Sequence, residues 1–379
     1  MFRNVKTESS SRLTFDVDDV DVSLVNALRR VILAEVPTVA FSFDPTVSEN
    51  DIDIITNTGS LHNEFLGHRL SLVPICLNKQ EIDEFHTDKY TFVIKIQNVS
   101  NVMLPVTSKD IKVYKQNDEE VGQDVRDKMF PANPITHHHI LITKLKPNLF
   151  DSRKGDKIHL VAKASLGKGK QHSRWCPASL CTFYNNIDEK EREDAYDMYE
   201  NKHAQLGLPA DELRKRFDTL EAYRCFSKNK YGEPNSLHFD LQSECGMAPS
   251  EIIENALHVL LDKLTTFVKN TDIKENIDVK LIQGTWHVTI PGEDHTLANL
   301  LQSFIYNKFI RKDGTISDYV IADLGIVYVG YFKPHPLEDC VLLKIRLTGD
   351  VHDALKAGAN EVVKCLRTMI DEWVKLSKL

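Results

Sequence analysis

A chain of 379 residues, 42% of them hydrophobic, exceeds the roughly 250–300 residues that one core fills, and two or three domains are expected. Its formal net charge of −8 disfavours a coat for nucleic acid, which needs a basic face, and its seven unevenly spaced cysteines are not the framework of a small disulfide-stapled secreted domain. No apolar run approaches the ~18 residues of a membrane span, and no basic-then-apolar segment opens the chain, so a soluble intracellular protein with reduced thiols is expected.

The first clear element is RLTFDVD, where Leu13, Phe15 and Val17 alternate with polar residues in the period-two pattern of a half-buried strand. An acidic turn follows, in which Asp21 or Ser23 is placed to cap a helix by accepting a free amide hydrogen bond. In that helix Leu24, Ala27, Leu28 and Val31 recur at helical spacing, while Asn26, Arg29 and Arg30 fall off the apolar stripe. Next come Cys76 and His86, too few ligands for a tetrahedral zinc site, and the strand-like YTFVIKIQNV. His137, His138 and His139 read as polar residues at a strand edge, because consecutive strand residues alternate faces and do not converge on one ion. GKGK at 167–170 lacks the spacing of a phosphate-binding loop; it reads as a basic turn facing an acidic or nucleic-acid partner, or as a solvated loop. His172, Cys176 and Cys181 lack a second chelating pair, and the charged stretch at 188–224 predicts an extra helical segment.

The same grammar then returns. SLHFDLQ alternates Leu237, Phe239 and Leu241 and leads into a helix bearing Ile253, Leu257, Leu260, Leu264 and Phe267. TWHVTI alternates Trp286, Val288 and Ile290; Asp294 or Thr296 is placed as a cap, and the next helix carries Leu297, Leu300, Leu301 and Phe304. LLKIRL alternates Leu343, Ile345 and Leu347 before a helix with Leu355, Val362, Leu366, Met369, Trp373 and Leu376. Moreover, SLVNALRRVI is echoed by TLANLLQSFI, with Leu24, Asn26, Leu28 and Ile32 returning as Leu297, Asn299, Leu301 and Ile305. The matching order of elements points to a duplication. Two such units, each a sheet with helices apolar on one side, can pack those faces together as a pseudo-twofold dimer within one chain.

NALRRVILAEVPTVAF followed by HNEFLGHRLSLVPI resembles the signature of the bacterial RNA polymerase alpha subunit's N-terminal domain, of the third-largest subunit of eukaryotic RNA polymerase II and of the archaeal counterpart of both. LGKGKQHSRWCP and LHFDLQSECGMAPSEIIENAL are similar to later landmarks of that family. IPGEDHTLANLL and GYFKPHPLEDCVLLKIRL resemble the eleventh subunit of the eukaryotic enzyme and its smaller archaeal counterpart. A head-to-tail fusion of the two is most similar to the fused subunit of large cytoplasmic DNA viruses of the African swine fever type.

The resemblance implies an α+β fold. A third-subunit-like dimerisation domain would span 1–42 and 173–270, interrupted by a mainly β insert domain at 43–172, and an eleventh-subunit-like domain would span 271–379. It further implies an intramolecular interface containing Leu24, Leu28, Val31, Leu297, Leu300, Leu301, Phe304, Leu366 and Trp373. Asn26, Arg29, Arg30, His68, Arg69, Lys168, Lys170 and Arg174 are then candidates for contact with the large subunits, arginine being suited to bidentate carboxylate contacts.

No nucleophile, base and oxyanion set can be assembled, and the Asp-rich metal loop of two-metal polymerisation is absent; DVDDVD sits in a turn where capping explains it. The expected function is therefore a non-catalytic platform for assembly of a DNA-directed RNA polymerase, without a cofactor of its own, Mg2+ and zinc belonging to other subunits. Implied partners are the largest and second-largest subunits and small zinc-ribbon-like subunits, with DNA and RNA met only through the complex. No membrane and no homodimer is expected, and the host cytoplasm or virion is the expected location. The alternative is a regulatory or nucleic-acid-binding protein reusing the same fold.

Overall fold

The computed structural model describes residues 1–47, 50–148, 150–151, 154–272, 277–311 and 324–376. The fold is α+β. Strands β1 (Phe2–Ser9) and β2 (Arg12–Asp18) lead into helix α1 (Val22–Ala34), followed by β3 (Pro37–Ala40), β4 (Ile52–Asn57), α2 (Asn63–Ser71), α3 (Lys79–Asp83) and β5 (Tyr90–Gln97). Then come β6 (Leu104–Thr107), β7 (Lys112–Lys115), α4 (Gln123–Met129), β8 (Leu141–Leu145), β9 (Lys157–Ala162), β10 (Ser165–Lys168) and β11 (Ala178–Asn185). Helices α5 (Glu189–His203) and α6 (Ala210–Leu220) precede β12 (Ser236–Ser243) and α7 (Pro249–Asp272). The chain continues through β13 (Asp278–Ile282), β14 (Thr285–Pro291), α8 (His295–Ile305), β15 (Ile326–Phe332), β16 (Cys340–Leu347) and α9 (Val351–Leu376).

Two compact units result, one made of Met1–Val31, Cys181–Leu241 and Ile253–Leu379, the other of Ile32–Leu180 and Gln242–Ile252. The first unit contains two four-stranded sheets, ordered β1-β2-β12-β11 and β13-β14-β16-β15. Each follows from period-two patterning: Leu13, Phe15 and Val17 of β2, Leu237, Phe239 and Leu241 of β12, Val288 and Ile290 of β14, and Val341, Leu343 and Ile345 of β16 are all buried. Thr14 and Asp16 of β2 are buried as well, so that strand is covered on both faces. Asp16 is partnered there: Asn4 Nδ2 donates to it at 2.6 Å, and His238 Nδ1 lies 2.7 Å from its other oxygen.

Both halves set apolar helical stripes against these sheets. Leu24, Leu28 and Val31 of α1 are buried, as are Leu297, Leu300 and Leu301 of α8 and Leu366 and Trp373 of α9. Phe304 departs from the expected stripe: it is only half-buried, and Ala298 and Ile305 are buried on α8. The reason is the close approach of α9, where a Cβ on Gly358 would lie 2.3 Å from Ile305 Cγ1, so the small residue admits Ile305.

The charged stretch after β11 forms a helical hairpin around Phe217, Ala222 and Cys225, with Ala195, Tyr196 and Tyr199 packed on them. Arg214 fastens α6 to α5, pairing with Glu193 at 2.7 Å and lying 4.4 Å from the Tyr196 ring centre.

In the second unit, β4-β9-β5-β7 form an antiparallel sheet beside the small pairs β6-β8 and β3-β10. Phe92 packs edge-on against Phe41 and Phe130 at its core. His137–His139 do not lie in a strand: β8 begins only at Leu141, and His137 takes a positive φ of 57° in the loop before it. GKGK closes the β3-β10 pair, and its glycines are steric necessities. A Cβ on Gly167 would meet the Trp175 ring at 2.4 Å, and one on Gly169 would meet the Leu33 carbonyl at 2.0 Å.

Candidate functional site: the seam between the two halves

Within the first unit the N-terminal half meets the C-terminal half along a seam that is apolar at one end and polar at the other. At the apolar end Trp373 of α9 packs on Phe2 of β1 at 4.9 Å and on Phe15 of β2 at 5.1 Å, and Phe15 stacks on Phe239 of β12 at 5.0 Å. A large aromatic reaching from one half into the sheet of the other is a strong anchor, since it buries a wide area with few rotamers to fix. The chain's terminal amine lies 3.4 Å from Glu372, beside it.

The polar end is built from the helix caps. Asp21 accepts the Ser23 amide at 2.8 Å at the start of α1, and Asp294 accepts the Thr296 amide at 2.8 Å at the start of α8. Each cap also binds the opposite helix. Arg30 of α1 donates Nε to Thr296 Oγ1 at 2.8 Å and NH2 to Asp294 Oδ2 at 2.9 Å. In the other direction, Ser303 of α8 donates to Asp21 at 3.0 Å, and Asn307 Nδ2, in the wider π-type turn Tyr306–Ile310 that continues α8, donates at 2.7 Å. The repeat that aligns Leu24 with Leu297 also aligns Asp21 with Asp294 and Arg30 with Ser303. The crossed caps therefore link equivalent positions of the repeat.

Two more ion pairs cross the seam. Lys263 of α7 meets Glu293 at 3.1 Å, with both side chains largely buried, and Arg311 meets Glu233 at 2.7 Å while lying 3.8 Å from the Tyr231 ring centre. Burial pushes the Asp294 carboxyl up, but the Thr296 amide and hydroxyl and the Arg30 guanidinium outweigh it and hold the group below the usual carboxylate range.

Of the residues considered for external contacts, Arg30 is engaged with the other half through Thr296 and Asp294. Arg29 folds onto Asn26 Oδ1 of its own helix at 3.0 Å, and its carbonyl faces the Cys181 thiol. In the second unit, Arg69 donates to the carbonyls of Ile142 and Leu141 at 2.9 and 2.7 Å, tying α2 to β8. Arg174 donates to the carbonyls of Phe41 and Phe43. His68, Lys168 and Lys170 are exposed. The repeat could have flagged Asp21, Asp294 and Ser303 through their alignment; Phe2, Glu233, Lys263 and Arg311 carry no sequence signal of the seam.

Cys181, Cys225 and Cys245 are buried, Cys76 and Cys176 are half-buried against the carbonyls of Glu244 and Ala178, and the half-buried Cys340 lies 3.8 Å from the Glu338 carboxylate. Burial pushes the Cys76 thiol up to about 12, with Cys245 and Glu244 adding to it, so it is a poor thiolate ligand at neutral pH. Among the described residues no group of three or more His, Cys, Asp or Glu is arranged to hold a metal ion. Nor is any helix among them long and apolar enough to cross a membrane.

The profile of the family described as RNA polymerase Rpb3/Rpb11 dimerisation domain matches residues 14–264. The DNA-directed RNA polymerase subunit Rpo3 of Thermococcus kodakarensis is 27% identical over 276 residues, 68% of this chain and 92% of that one. The DNA-directed RNA polymerase II subunit RPB3 of Schizosaccharomyces pombe is 27% identical over 274 residues, 71% and 86% of the two chains. A conjugation stage-specific protein of Tetrahymena thermophila is 25% identical over 292 residues, 66% and 88%. The matched profile ends at residue 264, before β13.

Proposed function

Because the chain belongs to the family of the RNA polymerase Rpb3/Rpb11 dimerisation domain, we propose that it is an assembly subunit of a DNA-directed RNA polymerase in which both dimerisation partners are carried on one polypeptide. The observation that supports this most directly is the pair of crossed caps, Arg30 on Asp294 and Ser303 on Asp21, joining two halves of like topology. The chain does no chemistry itself. Its work is to present a rigid two-sheet platform on which the largest and second-largest subunits are positioned so that their catalytic loops meet, with small zinc-ribbon-like subunits alongside.

The N-terminal half, with the second unit as its insert, corresponds in this reading to the third subunit, and residues 271–379 to the eleventh. Fusion fixes their stoichiometry and raises the effective concentration of each half for the other. A single-chain platform suits a compact, self-contained transcription system, and we assign it to a large cytoplasmic DNA virus of the African swine fever type, acting in the host cytoplasm. His68, Lys168 and Lys170, exposed on the second unit, are the basic side chains best placed for contact with the large subunits. No cofactor is needed by this chain in such a role.

The test is affinity purification of the tagged chain from its native source. Recovery with two very large polymerase subunits supports the reading, and recovery of the chain without them overturns it.

A further inference from the structure

The two crossed caps are not equal. On one side Thr296 Oγ1 and Asp294 Oδ2 receive two donors from a single guanidinium, that of Arg30. The repeat places Ser23 opposite Thr296 and Asp21 opposite Asp294, but it places Ser303 where Arg30 would be. A serine carries one proton and no charge. Ser303 shares that proton between the two Asp21 oxygens, at 3.1 and 3.0 Å, and does not reach Ser23. The Ser23 hydroxyl is accordingly buried with no hydrogen-bond partner among the described residues. Such a group costs stability unless something supplies a partner, which for a hydroxyl can be a donor to its lone pairs.

Beside it opens a cleft of about 900 Å3 between the halves. Its charged lining is acidic: Asp19, Asp21 and Glu233 accompany one cation, Arg311, which is held by Glu233 and stacked on Tyr231. Among the described residues Asp21 has no ion-pair partner, whereas its counterpart Asp294 has Arg30. The Asp21 carboxylate takes three protons, from Ser23, Ser303 and Asn307, against about four lone-pair sites, which leaves room for another donor.

We propose that this cleft is a docking site for the guanidinium of an arginine presented by a partner polypeptide. That guanidinium reproduces at Asp21 and Ser23 the contact that Arg30 makes at Asp294 and Thr296. The planar fork of arginine matches a hydroxyl and a carboxylate set side by side, as the occupied copy shows; a lysine would engage them only as a point charge. The inference stands on the geometry of the seam and holds whichever complex the chain serves.

The probe is N-acetyl-L-arginine amide, titrated into the full-length protein while the Ser23 amide and Asn307 side-chain signals are followed by NMR. N-acetyl-L-citrulline amide, neutral and nearly isosteric, is the control. Saturable shifts with the arginine probe, at least about tenfold weaker with citrulline, are expected from loss of a charge-assisted pair. Ser303→Arg should complete the second clamp from within, raise the melting temperature and abolish the shifts. Asp21→Asn, which keeps a good helix cap, should abolish them with the fold intact. Equal response to both probes, no response, or wild-type binding in a folded Asp21→Asn protein overturns the proposal.

Discussion

Arg30 shows how far a side chain's role depends on what lies opposite it. Its position off the apolar stripe of α1 is readable from spacing, yet its partners, Asp294 and Thr296, stand more than two hundred residues away, and no local pattern announces them. Removing it leaves Asp294 with its cap but without its counter-charge. Because both groups are about a third exposed, Arg30→Ala should lower stability by only about 1 kcal/mol near pH 7. The pair also fixes the pH dependence. Asp294 titrates below its unfolded value, near 4, so its contribution is fully present above about pH 4 and is lost as pH falls through the folded value. Denaturant unfolding of wild type and Arg30→Ala should show a gap that narrows on acidification, and a gap that stays constant from pH 7 to about pH 3 would exclude the ion pair. The glycines of GKGK make a second case at single positions. Their spacing looks like phosphate chemistry gone astray, and the contacts give the physical reason: Trp175 and the Leu33 carbonyl leave no room for a Cβ. Gly169→Ala should destabilise the protein by about 1–3 kcal/mol, whereas Lys168→Ala, at an exposed side chain, should leave the melting temperature unchanged; a Gly169→Ala protein as stable as wild type would contradict the packing.

Among the strands and helices, periodicity was the most informative signal. The alternation in β2, β12, β14 and β16 and the stripes of α1, α7, α8 and α9 are visible in sequence because half-buried elements need one apolar face and one polar face. The three histidines before β8 misled, since composition does not reveal a left-handed residue at His137. Phe304 is half-buried while its neighbour Ile305 is fully buried, a difference that depends on the room Gly358 leaves on another helix. Leu28 and Leu301 are fully buried on their helices, so Leu28→Asp or Leu301→Asp should cost ~2–5 kcal/mol for the lost leucine contacts, with a buried carboxylate added. Against a typical ~5–15 kcal/mol that should unfold the first unit; circular dichroism melts indistinguishable from wild type would contradict the packing. The α5-α6 hairpin should behave in the opposite way. Its stem is closed by the Asp188 amide donating to the Cys225 carbonyl at 2.9 Å and by the bridge between Ile187 and Phe226. Replacing residues 189–224 with a short linker should therefore leave the melting midpoint of the remainder unchanged, and loss of cooperative unfolding would show that the hairpin supports the sheets.

For the molecule as a whole, the repeat was legible because it is written in the same residues twice, and the family because its motifs cluster around α1 and β12. The asymmetry of the seam is written there too, as Ser303 opposite Arg30 in the repeat, but its consequence is not, because only the fold sets these residues against Asp21 and Asp294 of the other half. With both halves satisfied by each other through Trp373, the crossed caps and two further ion pairs, the isolated chain should scatter light as a monomer. Whether one chain supplies both dimerisation partners of a polymerase is decided by the subunit stoichiometry of the enzyme purified from its native source, measured by native mass spectrometry. One copy of this chain is expected for each copy of the two large subunits, with no separate small subunit of the eleventh-subunit type. Two copies of the chain in the complex, or a separate dimerisation partner bound to it, would contradict the single-chain platform.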